Sequence, residues 1–379
     1  MNIAFTEEQE MLRTSARDFV EKECPARLVR QIEESEGGYS PELWRKMADL
    51  GWMGLVIPEE YGGVGGSFLD LLLLIEEMGR GCLPGPFLST LVLGALPIMA
   101  AGTAEQKEEF LPKIAQGEMI LALALTEPSA RWDAASIAVG AVSEKEQYII
   151  NGTKLFIEYA HIADYLLCVA RTKDAPTGRG EDGLSLFLVD ARSPGLKCTP
   201  FKTIGSVPQC EVVFDNVVVP AKNMLGERDR GWPVVKDMLE RGAIAKCAES
   251  IGGARQVVEM TVAYAKERVA YGRTIASFQT VQHMCVSMLS YADTARNITY
   301  EAAWRLSEGL PCAKQVASAK AWASEAYERI TKMGAHLHGA IGFTRDHDLG
   351  LYYRRAKAAT LAFGDPDHQR EVVAREIGL

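Results

Sequence analysis

The chain has 379 residues, a net charge of -9 at pH 7, and 47% hydrophobic against 24% charged residues. That length exceeds what one hydrophobic core fills, so two or three packed units are expected. The acidic balance excludes nucleic acid as the main partner, because phosphate binding needs a basic surface, yet leaves room for local basic sites that hold a small anion.

The start, Met1 to Phe5 followed by Thr6-Glu7-Glu8-Gln9, has neither a basic opening nor an apolar stretch of signal-peptide kind, which points to the cytoplasm. From Thr6 to about Gln116 the apolar period is helical: Leu12, Ala16, Phe19 and Val20 share a face, and Thr6 is placed to cap. Further helices are expected over Pro41 to Leu50, with proline in the first turn, and over Phe68 to Gly79. The apolar run Leu69 to Ile75 is interrupted by Asp70 and ended by Glu76-Glu77, far short of a membrane span. It reads as a buried helix, and no membrane partner is expected.

From Met119 to about Val219 the pattern changes to short apolar or alternating runs: Tyr148 to Ile150, Ala163 to Ala170, Leu184 to Val189 and Glu211 to Phe214. Asn151-Gly152, Ser193-Pro194-Gly195 and Asp215-Asn216 read as the turns between them. Thr172 to Gly183, rich in glycine, proline and charge, is expected to be a mobile surface loop that tolerates deletion. After Gly231 alanine-rich helices return, roughly Pro233 to Arg268, Phe278 to Glu308, Cys312 to His338 and Pro366 to Ile377. The expected fold is therefore α+β. An N-terminal α-helical domain (1–118) is followed by a small antiparallel β-sheet domain (119–228) and a C-terminal four-helix bundle (229–379). Eight cysteines without Cys-x-x-Cys spacing suggest reduced, packed thiols in a reducing compartment.

Several motifs stand in order along this frame: Pro58-Glu59-Glu60-Tyr61-Gly62-Gly63, Leu125-Thr126-Glu127-Pro128, Gly226-Glu227 with Gly231-Trp232, and Tyr264-Ala265 with Arg268, Tyr271-Gly272-Arg273 and Gln279. His338-Gly339-Ala340-Ile341-Gly342-Phe343 and Ala374-Arg375-Glu376 complete them. In this combination the chain resembles the acyl-CoA dehydrogenase family over nearly its whole length. The resemblance implies a flavin adenine dinucleotide (FAD) between the sheet domain and the bundle, its distal half touching a neighbouring subunit. It also implies an acyl-CoA substrate, a tetramer, either homotetrameric or α2β2 with a related chain, and an electron-transfer flavoprotein as electron acceptor.

Carried over position by position, the resemblance puts Leu123, Leu125 and Thr126 along the flavin ring, with Thr126 hydrogen-bonding its edge. Arg268 falls to a neighbour's pyrophosphate, where a guanidinium fork suits paired phosphate oxygens. Tyr271 packs on the same cofactor, Gln279 bonds its ribose or adenine end, and Gly339 and Gly342 allow close approach of the nucleotide. The bland readings are a strand end for Thr126, an exposed helix charge for Arg268 and a helix-end turn for the glycines.

Departures cluster at the reacting end. Phe363, in Ala362-Phe363-Gly364-Asp365-Pro366, occupies the slot of the family's catalytic glutamate. Trp132 stands where a serine contacts flavin and substrate. Phe156-Ile157-Glu158-Tyr159 replaces Trp-Ile-Thr-Asn, so that Glu158 takes the place of the threonine beside flavin N5. His336 replaces a glutamine at the cofactor, and Ala340 a glycine. Some family members carry the base on the helix after the sheet domain, at the position of Gly242, which has no side chain to offer. Glu240, two residues earlier with Arg241 as charge partner, is the candidate base, and Glu158 and Asp365 are alternatives; Trp132, Arg241 and Phe363 are candidate substrate contacts. Such a base needs its pKa raised by an apolar pocket.

Other signals fall away. Gly62 to Ser67 is no phosphate loop, since no Gly-Lys-Ser/Thr follows, and His336 with His338 at i, i+2 is no metal pair. A Gly-x-Ser-x-Gly elbow is absent. Two readings stand: FAD-dependent α,β-dehydrogenation of an acyl-CoA with a relocated base, or a member that no longer dehydrogenates alone. The second is either the base-lacking subunit of a mixed oligomer or an enzyme of non-oxidative acyl-CoA chemistry. Three aromatics at the active face favour a ring-containing or branched acyl group.

Overall fold

The computed structural model describes residues 5–174 and 180–379. The N-terminal region is helical: α1 (Glu7–Glu23), α2 (Ala26–Glu34), α3 (Pro41–Asp49), α4 (Phe68–Arg80), α5 (Phe87–Thr90), α6 (Leu96–Ala101) and α7 (Ala104–Ala115). Capping boxes start three of these helices, with Thr6 and Gln9 at α1, Ser67 and Asp70 at α4, and Thr103 and Gln106 at α7. A single π turn, Leu91–Ala95, joins α5 to α6. Leu71 to Leu74 of α4 are all fully buried, as a helix apolar all round requires.

The sheet follows as β1 (Leu121–Ala124), β2 (Gly140–Glu144), β3 (Gln147–Glu158), β4 (Tyr165–Arg171), β5 (Leu184–Asp190), β6 (Leu196–Phe201), β7 (Gln209–Pro220) and β8 (Met224–Leu225). The order is β6-β7-β3-β2-β4-β5-β8, and β1 joins β4 in parallel. The other extended ladders are antiparallel. Asn151-Gly152 and Asp215-Asn216 are not turns between strands. Both lie inside the long β3–β7 ladder, where the register shifts between Ile150 and Gly152. There the Asn216 amide donates to Asn151 Oδ1 at 2.8 Å, so these turn-forming residues make a bulge instead. Of the loop expected over 172–183, the ends are tied down: Thr172 N and Lys173 N donate to the Gly183 carbonyl. Residues 175–179 lie outside the described residues.

The C-terminal region packs α8 (Trp232–Glu267), α9 (Gln279–Ser307), α10 (Ala313–His338) and α12 (Pro366–Glu376), the four expected helices, together with α11 (Leu349–Leu361). A short hairpin of β9 (Val269–Ala270) and β10 (Arg273–Thr274) separates α8 from α9. Gly79 on α4 and Gly252 on α8 each face the other helix's backbone so closely that a Cβ has no room, which binds the N-terminal helices to the bundle. One large core joins α4, the π turn, β1 and α8, and a second lines the inner face of the sheet. Among the described residues no helix is long and apolar enough to cross a membrane.

Candidate active site

Three segments meet where β1, the end of β3 and the bundle converge. The first is Leu125-Thr126-Glu127 beyond β1. Glu127 is buried and accepts from the backbone N–H groups of Ala138 (2.8 Å) and Val139 (3.0 Å) and from Lys154 Nζ (2.8 Å). Lys154 is fully buried and also donates to the Leu125 carbonyl at 3.0 Å. A carboxylate and an ammonium out of water are tolerated only when paired and hydrogen-bonded in this way. The clamp fixes Thr126, whose carbonyl accepts from Leu155 N at 2.8 Å. Among the described residues the amide and hydroxyl of Thr126 donate to no protein group although the residue is buried, leaving them free for a ligand.

The second segment is the β3 bulge between Lys154 and Ile157. The extra residue turns Phe156 into the left-handed region (φ 61°) and out of the core, where its exposed ring meets Phe201 edge-on at 5.7 Å. Glu158 follows opposite Gln209 and makes no hydrogen bond from its carboxylate among the described residues. Tyr159 also has positive φ and is held by its hydroxyl, which accepts from Gly85 N at 2.9 Å.

The third segment is the turn after α11. Phe363 (φ 55°) and Gly364 (φ 87°) reverse the chain, and Gln369 Nε2 donates to the Phe363 carbonyl at 2.6 Å. From α10 the buried Lys320 ammonium donates to the carbonyls of Ala359 (3.1 Å), Thr360 (3.4 Å) and Gly364 (3.2 Å) and to Ser324 Oγ (2.8 Å). Burial without a carboxylate partner pulls its pKa down to about 8. The turn seats the Phe363 ring on α8 at Gly242. A Cβ there would stand 2.5 Å from Phe363 Cε1 and 3.1 Å from Leu93 Cδ2. Trp132 covers the other side, its ring centroid 5.7 Å from that of Phe363 and tilted by 35°.

The two positions from which the resemblance draws a base, Gly242 and Phe363, are therefore in contact with each other and carry no carboxylate. Glu240 does not replace them. Two residues turn a helix by about 200°, so Glu240 faces α10, where the Cys312 thiol lies 3.9 Å from its Oε2. Burial raises its pKa, but Lys236 at 4.0 Å is its ionic neighbour. Arg241 is not the partner of Glu240: its Nε donates to Asp237 at 2.8 Å and its guanidinium lies 5.1 Å from the Phe68 ring centroid. Asp365 is spent as the N-cap of α12, accepting from His368 N at 2.8 Å. Of the three candidate bases, Glu158 alone has a carboxylate with no hydrogen bond or ion pair among the described residues.

A residue that sequence reading passed over lies one turn beyond Gly242 on the same helical face. Lys246 is buried and donates to Glu249 at 2.8 Å. Burial lowers its pKa, but the nearby charges of Glu249 and Glu158 outweigh that and raise it. Its place inside an alanine-rich helix held a signal, because a lysine among core positions needs carboxylates near it.

Leu123 and Leu125 are buried in the large core. Arg268 caps the end of α8 as an exposed side chain, Tyr271 is 96% exposed, and Gln279 is exposed at the start of α9. These three face outward from this chain's own aromatic cluster. Exposed Val269, Val286 and Leu289 lie on the hairpin and α9, and exposed Ile341 and Phe343 on the turn after α10. His336 is exposed in the last turn of α10, Gly339 (φ 69°) has open space where a Cβ would stand, and Gly342 is packed behind it on Ala335 and His338. His338 is no metal ligand: its ring stacks on Tyr264 at 4.4 Å and its Nδ1 meets the Gly334 carbonyl at 2.8 Å. No cluster able to hold a metal ion occurs among the described residues.

Family models for the N-terminal, middle and C-terminal domains of acyl-CoA dehydrogenases match residues 6–118, 122–217 and 229–378. A probable acyl-CoA dehydrogenase of Bacillus subtilis is 34% identical, with all of both chains covered. A subunit of the caffeyl-CoA reductase-Etf complex of Acetobacterium woodii is 32% identical, with 98% of each chain covered. The butyryl-CoA dehydrogenase structure from Megasphaera elsdenii superimposes with a TM-score of 0.91 at 30% identity, covering both chains fully.

Proposed function

Because the chain belongs to the acyl-CoA dehydrogenase family, whose members are oxidoreductases acting on CH–CH donors, we propose that it acts with FAD on the Cα–Cβ bond of an acyl-CoA thioester. Electrons would pass to or from an electron-transfer flavoprotein, a partner that appears in the name of the Acetobacterium relative. The observation that shapes this reading is the Phe363 ring seated on Gly242: neither usual base position carries a proton acceptor.

The residues present fit the cofactor. Thr126 offers a free amide and hydroxyl to a ring edge, with Trp132, Phe156 and Glu158 around it, while His336, Gly339 and Gly342 stand at the nucleotide side. Arg268, Tyr271 and Gln279 project outward, as a contribution to a neighbour's site requires, which supports a tetrameric assembly. Bound flavin supplies a hydride acceptor or donor at the β carbon. Phe363 and Trp132 keep water from the α carbon and present aromatic surface to the acyl group, which favours a ring-containing or branched substrate. The α-proton then has to be handled by Glu158, whose charge reaches Lys246 one turn from Gly242, or by a second chain in an α2β2 assembly. The chemistry suits the cytoplasm, where the eight free thiols remain reduced.

The test is the visible spectrum of the chain purified alone, followed by anaerobic titration with straight, branched and cyclic acyl-CoA esters. Flavin that bleaches with substrate in wild type but not in Glu158→Gln supports a self-sufficient enzyme. Flavin that no ester bleaches, while reduced flavin is also not reoxidised by enoyl-CoA esters, refutes activity of the chain alone and supports the base-lacking subunit.

A further inference from the structure

Gly242, Lys246 and Glu249 stand at i, i+4 and i+7 on α8, so the helix face that meets Phe363 continues into the bundle as a lysine and a carboxylate. Lys246 is only 7% exposed, yet its ammonium has a single protein acceptor among the described residues, Glu249 Oε2 at 2.8 Å. Other buried lysines are better supplied: Lys154 donates to two groups, and four acceptors surround Lys320. Burial lowers the Lys246 pKa, but the charges of Glu249 and Glu158 raise it by more, so the ammonium keeps three protons and two of them lack a protein acceptor. The Glu249 side chain is 29% exposed although residues 242–248 and 250–254 on either side are buried, so a gap opens onto this face. One turn deeper, the Tyr327 ring of α10 lies against Gly253, which has no side chain to exclude it. Tyr327 is buried, and although its carbonyl accepts from Thr331, its hydroxyl makes no hydrogen bond among the described residues.

We propose that Lys246, Glu249 and Tyr327 form the distal end of the acyl pocket and bind a hydroxyl group carried on the part of the acyl chain remote from the thioester. This rests on the acyl-CoA reading above and names the acyl class within it. A hydroxyl both accepts and donates. Its oxygen accepts from the Lys246 ammonium, and its proton goes to Glu249 Oε1, the carboxylate oxygen that Lys246 does not use. Tyr327 closes the end with a further donor. A plain hydrocarbon chain fits worse, because it would leave two ammonium protons and a carboxylate oxygen unpaired once water is displaced. A carboxylated chain also fits worse, because it would meet the negative charge of Glu249, which already offsets Lys246. Four helical residues span about 6 Å, which separates the Lys246 turn from the Gly242 turn where the Phe363 ring closes on the reacting end. The hydroxyl therefore takes no part in the redox step; it selects the chain and fixes how far it enters. A hydroxylated ring satisfies both this polar end and the aromatic surface of Phe363 and Trp132.

Calorimetric titration of the full chain in excess FAD tests this with matched esters on a straight and a ring scaffold. The probes are hexanoyl-CoA and cyclohexanecarboxyl-CoA, each also with a hydroxyl, and with a carboxylate, at the end remote from the thioester. On at least one scaffold the hydroxylated ester is expected to bind wild type about tenfold or more tightly than the plain one, and Lys246→Met to bring the two within about twofold. Because two esters are compared on one protein, an effect of the variant on Glu158 cancels. Equal binding of hydroxylated and plain esters overturns the proposal and leaves the acyl-CoA reading intact, as does a preference that survives in folded Lys246→Met. Tightest binding of the carboxylated esters overturns it in favour of an anionic acyl chain. Failure of every ester to bind removes the acyl-CoA reading and the proposal with it. The wild-type preference decides the matter where Lys246→Met fails to fold.

Discussion

Replacing Lys320 with methionine tests whether the turn that seats Phe363 depends on a buried cation. The substitution keeps the length of the side chain and removes the charge, so two opposing effects compete. Depression of the lysine from its ordinary 10.5 to about 8, at about 1.4 kcal/mol per pH unit, means that burying the ammonium costs about 3 kcal/mol at neutral pH. Methionine recovers that cost. Against it stand the four acceptors, Ser324 Oγ and the carbonyls of Ala359, Thr360 and Gly364. An ammonium has three protons, so at most three of these contacts are full bonds at one time, each worth about 2 kcal/mol. Two of the carbonyls close α11, where the helix supplies no donor of its own. Bond loss therefore wins, and Lys320→Met is expected to lower stability by about 3 kcal/mol at pH 7, read as a shift of the urea midpoint at unchanged slope.

The pH dependence carries the sign. Between pH 8 and 10.5 the unfolded chain holds a proton at Lys320 that the native chain has released, so this group's contribution to stability rises with pH through that window. The gap between wild type and Lys320→Met should widen as pH goes from 7 toward 9.5. A variant as stable as wild type at pH 7, or a gap that closes on going alkaline, would refute the argument.

Gly242→Ala gains up to about 1 kcal/mol of helix propensity, yet its Cβ would stand 2.5 Å from the Phe363 ring, and overpacking costs about 1–3 kcal/mol. A net loss is expected by thermal denaturation, and Phe363→Ala in the same chain should remove most of it, a non-additivity that a double-mutant cycle measures. Lys154→Met strands the buried Glu127 carboxylate on two backbone donors and should cost about 3–5 kcal/mol, whereas a loss under about 1 kcal/mol would show that the clamp is dispensable. Arg268→Ala is expected to reduce the flavin retained on gel filtration while the urea midpoint stays unchanged, since the side chain is exposed; undiminished flavin would remove Arg268 from the cofactor's surroundings.

The order of helices, sheet and helices follows from the sequence alone, because apolar period and capping residues are local. Thr6 with Gln9 and Ser67 with Asp70 close their capping boxes within four residues of chain. The loss of a carboxylate at Phe363 was equally legible, as it needs only the identity of one residue in a recognisable motif. Direction was not. Glu240 and Gly242 are two residues apart, and which of them meets Phe363 depends on the rotation of α8 against α10 and the turn after α11. Asn151-Gly152 and Asp215-Asn216 suit a turn as well as a bulge, and only pairing of β3 with β7 over twelve-residue strands chose the bulge. Lys154 and Lys320 were invisible for one reason. A buried polar group is specified by partners distant along the chain, Lys320 by carbonyls some forty residues away, and only the packed structure brings those partners within hydrogen-bond reach.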